Sequence, residues 1–241
     1  MMDPLRKLVP TAIKERIKQL LPGRFDDLSG YVGTDAVSGE LQFELLKRQG
    51  CTPRSTVLEI GCGCLHVGIP LLGFLDAGNF VGVDPNDWLR ERAMKDASVR
   101  QLVNDKRATF LSVDDFDASG LGRKFDFVFA HSVLSHAAHW QLDLFLKNAA
   151  KVLAPGGRVL ASLRLAEGNA YGSAGTPDKK DSLHQEWQYP GVTWFTLPTV
   201  IQMADAHGLT ALHIPEYTEF YARTRPKEHH DWIVFAWKAA R

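Results

Sequence analysis

Little in this chain points to a large charged partner. Its 28 basic and 28 acidic residues cancel, so no overall field draws it to nucleic acid, and no local run of Lys and Arg supplies one instead. A small-molecule substrate is the expectation that remains. No stretch approaches the roughly 18 to 20 apolar residues of a membrane span. The charged N-terminus also lacks the apolar core of a signal peptide. Both absences predict a cytoplasmic protein without a transmembrane segment. Cysteine is scarce: Cys51, Cys62 and Cys64 make no even disulfide framework and are expected as reduced thiols. Cys62-x-Cys64-x-His66 is spaced too tightly for zinc and lacks a fourth ligand, so no metal is expected. What is present is ordinary for a globular chain: 241 residues, 45% of them hydrophobic, enough for a full core in one domain with embellishments.

The most informative stretch is Val57-Leu58-Glu59-Ile60-Gly61-Cys62-Gly63-Cys64-Leu65-His66-Val67-Gly68. Val57 to Ile60 reads as a strand buried on both faces, broken by glycines that let a ligand approach the backbone. Val67, Ile69, Leu71, Leu72 and Leu75 then pattern a helix whose first N–H groups would face that ligand. A second apolar strand, Phe80 to Val83, ends in Asp84. An acid there, about twenty residues beyond the glycines, can accept both hydroxyls of a ribose. A dinucleotide fingerprint needs a further glycine where His66 stands, which counts against an NAD(P)-dependent oxidoreductase.

Val-Leu-Glu-Ile-Gly-Cys-Gly, with Asp84 closing the next strand, resembles the first two motifs of the class I S-adenosylmethionine-dependent methyltransferases. The segment Leu153-Ala154-Pro155-Gly156-Gly157 resembles that family's turn into its fifth strand. The resemblance covers roughly residues 30 to 237. It implies an α/β fold: a Rossmann-like, doubly wound, seven-stranded, mostly parallel sheet with an antiparallel last strand. It implies S-adenosyl-L-methionine as cofactor and S-adenosyl-L-homocysteine as product. Glu59, Gly61, Cys62, Gly63 and Leu65 would lie against the methionine part, and Asp84, Pro85 and Asn86 at the ribose. Leu65 stands where the common Gly-x-Gly-x-Gly form has its third glycine. Tyr31, in Gly30-Tyr31-Val32-Gly33, resembles a segment that closes over the methionine end; a turn packing Tyr31 on the core is the equal alternative.

Around these motifs the chain reads in order. Leu5 to Leu21 patterns a basic amphipathic helix, suited to packing on its own domain or to a membrane surface or partner. Leu41, Phe43, Leu45 and Leu46 mark a helix ending at Gly50. Asn86 or Asp87 can cap the next helix, where Trp88 is placed to stack on an adenine or to join the core. Ala108 to Val113 reads as the third strand, followed by Asp114, Asp115 and Phe116, where the family reads the adenine amino group. Asp114 is the candidate acceptor for that N–H.

Phe125 to Ala130, the fourth strand, runs into His131 and His136 at the edge where ligands of parallel sheets bind. Imidazole suits general-base work near neutrality, so these are the candidate catalytic residues, with His131 also lining the cofactor. The alternative is that they only shape the pocket and cap a helix. Leu163 to Phe195, rich in Gly, Asp, Lys and aromatics, is too irregular for a regular element and is expected as a lid. Trp187 and Tyr189 in it, beside Asp178, His184 and Glu186, would suit a sugar or flat ring. Thr210 to Pro215 and Asp231 to Trp237 are expected as final strands bracketing a loop that carries Tyr217, His229 and His230. Tyr217 and His229 are candidate substrate contacts, with His230 as the alternative to His229 and surface placement as the default for both.

The domain reading is a helical cap over 1–50 and a methyltransferase domain over 51–241, with the insertion at 164–196. The expected reaction is methyl transfer to a small acceptor, a hydroxyl of a sugar or secondary metabolite. An N-methyltransferase of a small amine, the oxidoreductase, and a catalytically silent cofactor-binding or partner module are the competing readings.

Overall fold

The structure is a computed structural model that describes residues 36–173, 176–180, 192–225 and 229–239. The stretch 5–21, Tyr31, His184, Glu186, Trp187 and Tyr189 lie outside the described residues. The strands in chain order are β1 Val57–Ile60, β2 Phe80–Val83, β3 Thr109–Leu111, β4 Phe125–Ala130, β5 Leu153–Leu163, β6 Ala170–Ser173, β7 Thr176–Lys180, β8 Val192–Trp194, β9 Leu209–His213 and β10 Asp231–Trp237. The helices are α1 Ala36–Arg48, α2 Gly68–Phe74, α3 Asp87–Ala93, α4 Ala97–Asp105, α5 His139–Val152, α6 Leu197–Ala206 and α7 Pro215–Thr224. Seven strands make one sheet in the order β3-β2-β1-β4-β5-β10-β9, with β10 antiparallel to both neighbours. This is the mostly parallel, doubly wound arrangement expected.

The chain divides into two compact units. The first holds the described residues up to Ser112 and those from Phe220 to Arg225. Every residue of β1 and β2 is buried, as parallel strands covered on both faces must be. They pair in register from Val57↔Phe80 to Ile60↔Val83, which sets Glu59 opposite Gly82. A Cβ on Gly82 would lie 2.8 Å from Cys62 Sγ and 2.9 Å from a Phe110 ring carbon, so only glycine fits between them. Helix α1 buries Leu41, Phe43, Leu45 and Leu46, each worth about 1.5–3 kcal/mol. It stops at Lys47 and Arg48, just before Gly50 at φ +93°, the break the sequence predicts. A Cβ on Gly39 would fall 2.0 Å from the His66 carbonyl oxygen, so glycine alone lets α1 lie against the loop after β1. Ser38 Oγ meets the Tyr221 hydroxyl at 2.7 Å and accepts from Gln42 Nε2 at 2.8 Å, which ties α1 to the end of α7.

The second unit holds Val113–Glu219 and the described residues from His229 onward. Strand β4 runs parallel to β5, with Ala130 beside Ala161, and β10 pairs back with Asp231 opposite Leu163. Helix α5 buries Leu142, Phe145, Leu146, Ala149 and Val152 along one stripe. Its first turn is closed by Gln141 Oε1, which accepts from Ala138 N at 2.8 Å. Thr196 caps α6, its Oγ1 accepting from Thr199 N at 3.2 Å, with a proline in the first turn as expected.

Two expectations need correction here. The stretch after β5 contains regular structure: β6, β7 and β8 form a three-stranded antiparallel sheet in the order β7-β6-β8. Such short strands are regular through their ladder rather than through any period in their own residues. The segment around Tyr217 is helical, not a loop. Pro215 opens α7, Glu216 favours its N-terminus, and Tyr217 and Tyr221, four apart, are both buried on one side.

Candidate active site

In the first unit the glycine turn is built around one carboxylate. Asp84, buried at the end of β2, accepts from Gly63 N at 3.0 Å through Oδ2 and from Asn86 N at 2.8 Å through Oδ1. These bonds orient both oxygens, and each oxygen keeps a lone pair for a further donor. Asn86 precedes α3 without a side-chain capping bond, so its backbone N–H serves Asp84 instead. Pro85 and Trp88 are exposed beside it, Trp88 at 45%.

Glu59 lies on β1 with 4% of its surface exposed, and its Oε2 has no hydrogen-bond partner. Burial, and then the charge of Asp84, raise its pKa well above the ordinary carboxylate value. A buried acid lacking a donor is a place for a cationic ligand group. The loop around it is tight. Gly61 and Gly63 sit at φ +75° and +42°, and Leu65, where the family's common form has glycine, sits at φ +62°. A leucine in the left-handed region stores on the order of 1–2 kcal/mol of backbone strain. Its side chain is wholly buried, which offsets that cost. Cys62 and Cys64 are buried free thiols. Burial, then Glu59 and Asp84, push the Cys62 thiol far up, and burial holds Cys64 at about 11. Both therefore pack as neutral thiols, unpaired as the sequence predicts.

In the second unit, Asp114, Asp115 and Phe116 make the turn that follows β3. Asp115 Oδ1 accepts from Asp117 N at 3.0 Å, and the Asp115 carbonyl accepts from Asn148 Nδ2 at 2.7 Å, which pins the turn to α5. Phe116, at φ +64°, meets Phe145 edge-on with ring centroids 5.8 Å apart. Asp114 is exposed.

The carboxyl ends of β4 and β5 and the start of β10 gather a second cluster. The His131 ring stacks on Trp232 with centroids 5.3 Å apart and lies 4.5 Å from the His230 ring. Ser162 Oγ accepts from Ser132 N at 2.9 Å and sits 3.4 Å from His230 Nδ1. Ser132, at φ +57°, makes the sharp exit from β4. His136 is close enough to act electrostatically on His230. His229, by contrast, is exposed and its Nε2 lies 3.2 Å from Asp231 Oδ2. Tyr217 is buried on α7.

Ser162 and Trp232 were not among the candidates from sequence, and His230 entered only as the alternative to His229. The signal was present in His230-x-Trp232, because alternate residues of a strand share a face. Only the pairing of β10 with β5 shows that this face carries His131. Among the described residues no His, Cys, Asp and Glu cluster is arranged to hold a metal, and no helix is long and apolar enough to cross a membrane.

Burial, then Arg164, His136 and His229, lower the His230 pKa from 6.5 to about 3. Between those values the unfolded chain binds a proton that the folded chain refuses. Stability is therefore complete above about pH 6.5 and falls as pH drops through this window, by at most about 1.4 kcal/mol per pH unit. Urea melts between about pH 6 and pH 4 should show a shallower acid slope in His230→Gln than in the parent. Equal slopes would remove His230 as the cause.

A family model described as a methyltransferase domain matches residues 58–159. Solved structures share the fold. The CcbJ methyltransferase from Streptomyces caelestis superposes with a TM-score of 0.58 at 16% identity, covering 86% of this chain and 97% of that one. The magnesium protoporphyrin IX methyltransferase from Synechocystis PCC 6803, solved with bound S-adenosylmethionine, gives 0.56 at 17% identity, covering 99% of each chain. The glycopeptide N-methyltransferase MtfA gives 0.57 at 15% identity, covering 83% and 90%.

Proposed function

We propose that this chain is a class I S-adenosylmethionine-dependent methyltransferase, a reading supported by the methyltransferase-domain match over 58–159, and that it methylates a hydroxyl of a sugar or another small secondary metabolite. The observation that carries the acceptor chemistry is the packing of His131 against His230 and Trp232 at the carboxyl end of β4. A hydroxyl must lose its proton as it is alkylated, and an imidazole at that edge can take it. His131 and His136 are the candidate bases. Buried His230 is held neutral and so adds no charge beside them.

The bound cofactor supplies the methyl group already activated on a sulfonium. The chain's own work is to hold, align and exclude water. Asp84 accepts from the ribose hydroxyls, and Glu59 takes the ammonium of the methionine part through its unpaired Oε2. The turn Gly61, Cys62, Gly63 and Leu65 brings the backbone close, with Pro85 and Asn86 beside the ribose. Trp88 offers its face to the adenine, while Asp114, with Asp115 and Phe116 shaping the turn, accepts from the adenine amino group. We assign 51–241 to the methyltransferase domain, 164–196 to its lid, and Tyr217 and His229 to the acceptor side.

Incubating the chain with S-adenosylmethionine and parallel sets of small hydroxyl and amine acceptors tests the proposal by mass spectrometry. Methylated hydroxyl product together with S-adenosylhomocysteine is the expected result. Methylation confined to amines would overturn the acceptor class. Binding of the cofactor with no turnover on either set would favour a silent module.

A further inference from the structure

Arg164 is the first residue past β5. It shares the parity of Ser162, so both lie on the face that carries His131. Continuing the β5–β10 register by one step beyond Leu163↔Asp231 brings it opposite His230. The guanidinium lies over the Trp194 ring, 5.9 Å from its centroid. Its Nε is buried and has no hydrogen-bond partner, although a guanidinium presents five donors.

The acid whose charge acts on it is already engaged. Asp231 Oδ2 accepts from Leu165 N at 2.8 Å and lies 3.2 Å from His229 Nε2, while Oδ1 lies 3.5 Å from His213 Nε2. Burial lowers the Arg164 pKa, and the charge of Asp231 opposes that shift. A partly desolvated guanidinium lying over an aromatic ring, with no partner at its buried Nε, matches the fork geometry of a planar anion.

We propose that the acceptor carries a carboxylate, bound by Arg164 beside the histidines that handle the methyl-accepting hydroxyl. The inference rests on the methyl-transfer reading above and narrows its substrate class to small hydroxy acids. A carboxylate matches the guanidinium fork with two parallel bonds and fixes the orientation of the molecule. Trp194 keeps the guanidinium plane in place, and neutral His230 does not compete for the anion.

The test uses the full chain loaded with S-adenosylhomocysteine and a panel of hydroxybenzoates and sugar acids, each paired with its uncharged amide. Acids should bind about ten- to a hundredfold more tightly than their amides, the range expected of hydrogen bonds to a charged group. Arg164→Gln should erase that preference and Arg164→Lys should keep part of it, with both variants binding S-adenosylhomocysteine as the parent does. Amides binding as well as acids, no acid binding, or an unchanged preference in Arg164→Gln would overturn the inference alone. Failure of the parent chain to bind S-adenosylhomocysteine would overturn the methyl-transfer reading and this inference together.

Discussion

Asp84→Asn should bind S-adenosylhomocysteine about a hundred- to ten-thousandfold more weakly than the parent. The carboxylate accepts at both oxygens from backbone N–H groups, Gly63 at 3.0 Å and Asn86 at 2.8 Å. An asparagine can accept at only one of these positions. Its amide nitrogen would then face an N–H at the other, donor against donor. The glycine turn loses its anchor at the moment the ribose loses its acceptor. Each charge-assisted bond is worth about 1.5–3 kcal/mol, and two of them give the range above. Titration calorimetry reads the loss directly, and thermal melting separates it from unfolding. Undiminished affinity in a folded Asp84→Asn protein would remove Asp84 from the cofactor site.

The second large effect concerns the proton. His131→Phe keeps a flat ring against Trp232, 5.3 Å away in the parent, and removes both ring nitrogens. If His131 is the base, kcat on a hydroxyl acceptor should fall by about a hundred- to ten-thousandfold. KM should change little, because the shape of the pocket is retained. An amine acceptor attacks through its own lone pair and should lose far less. Comparing kcat for the two acceptor classes checks this, and the same comparison for His136→Phe decides between the two histidines. Equal losses on both classes in both variants would point to packing rather than proton transfer.

The glycine turn and the acid proposed to hold the cofactor were legible because their elements are local. Val57 to Ile60, the glycines and Asp84 lie within one strand, turn, helix and strand, whose geometry follows from apolar patterning and positive-φ positions. The cluster proposed to face the acceptor was legible only in part. His131 could be placed because it ends a strand of obvious composition, whereas His230 depends on which strand pairs with β10. His229 and His230 are neighbours in sequence just before β10, yet one is exposed and the other buried. The small sheet of β6, β7 and β8 and the helix α7 were missed for a related reason. Their residues are mostly polar or aromatic, so no apolar period marks them; the strands are regular through the ladder to their neighbours and the helix through its own turns.

By itself the sequence determined the parallel sheet, the glycine turn, the acid that closes β2 and the absence of an even disulfide framework, since each follows from residue type and spacing. Tertiary structure alone decided that Glu59 is buried without a partner, that Leu65 occupies a left-handed position, and that Arg164, Ser162, His230 and Trp232 share a face with His131. The physical reason is that strand pairing and burial are set by residues dozens of positions away, and a side chain's charge state depends on the company they bring.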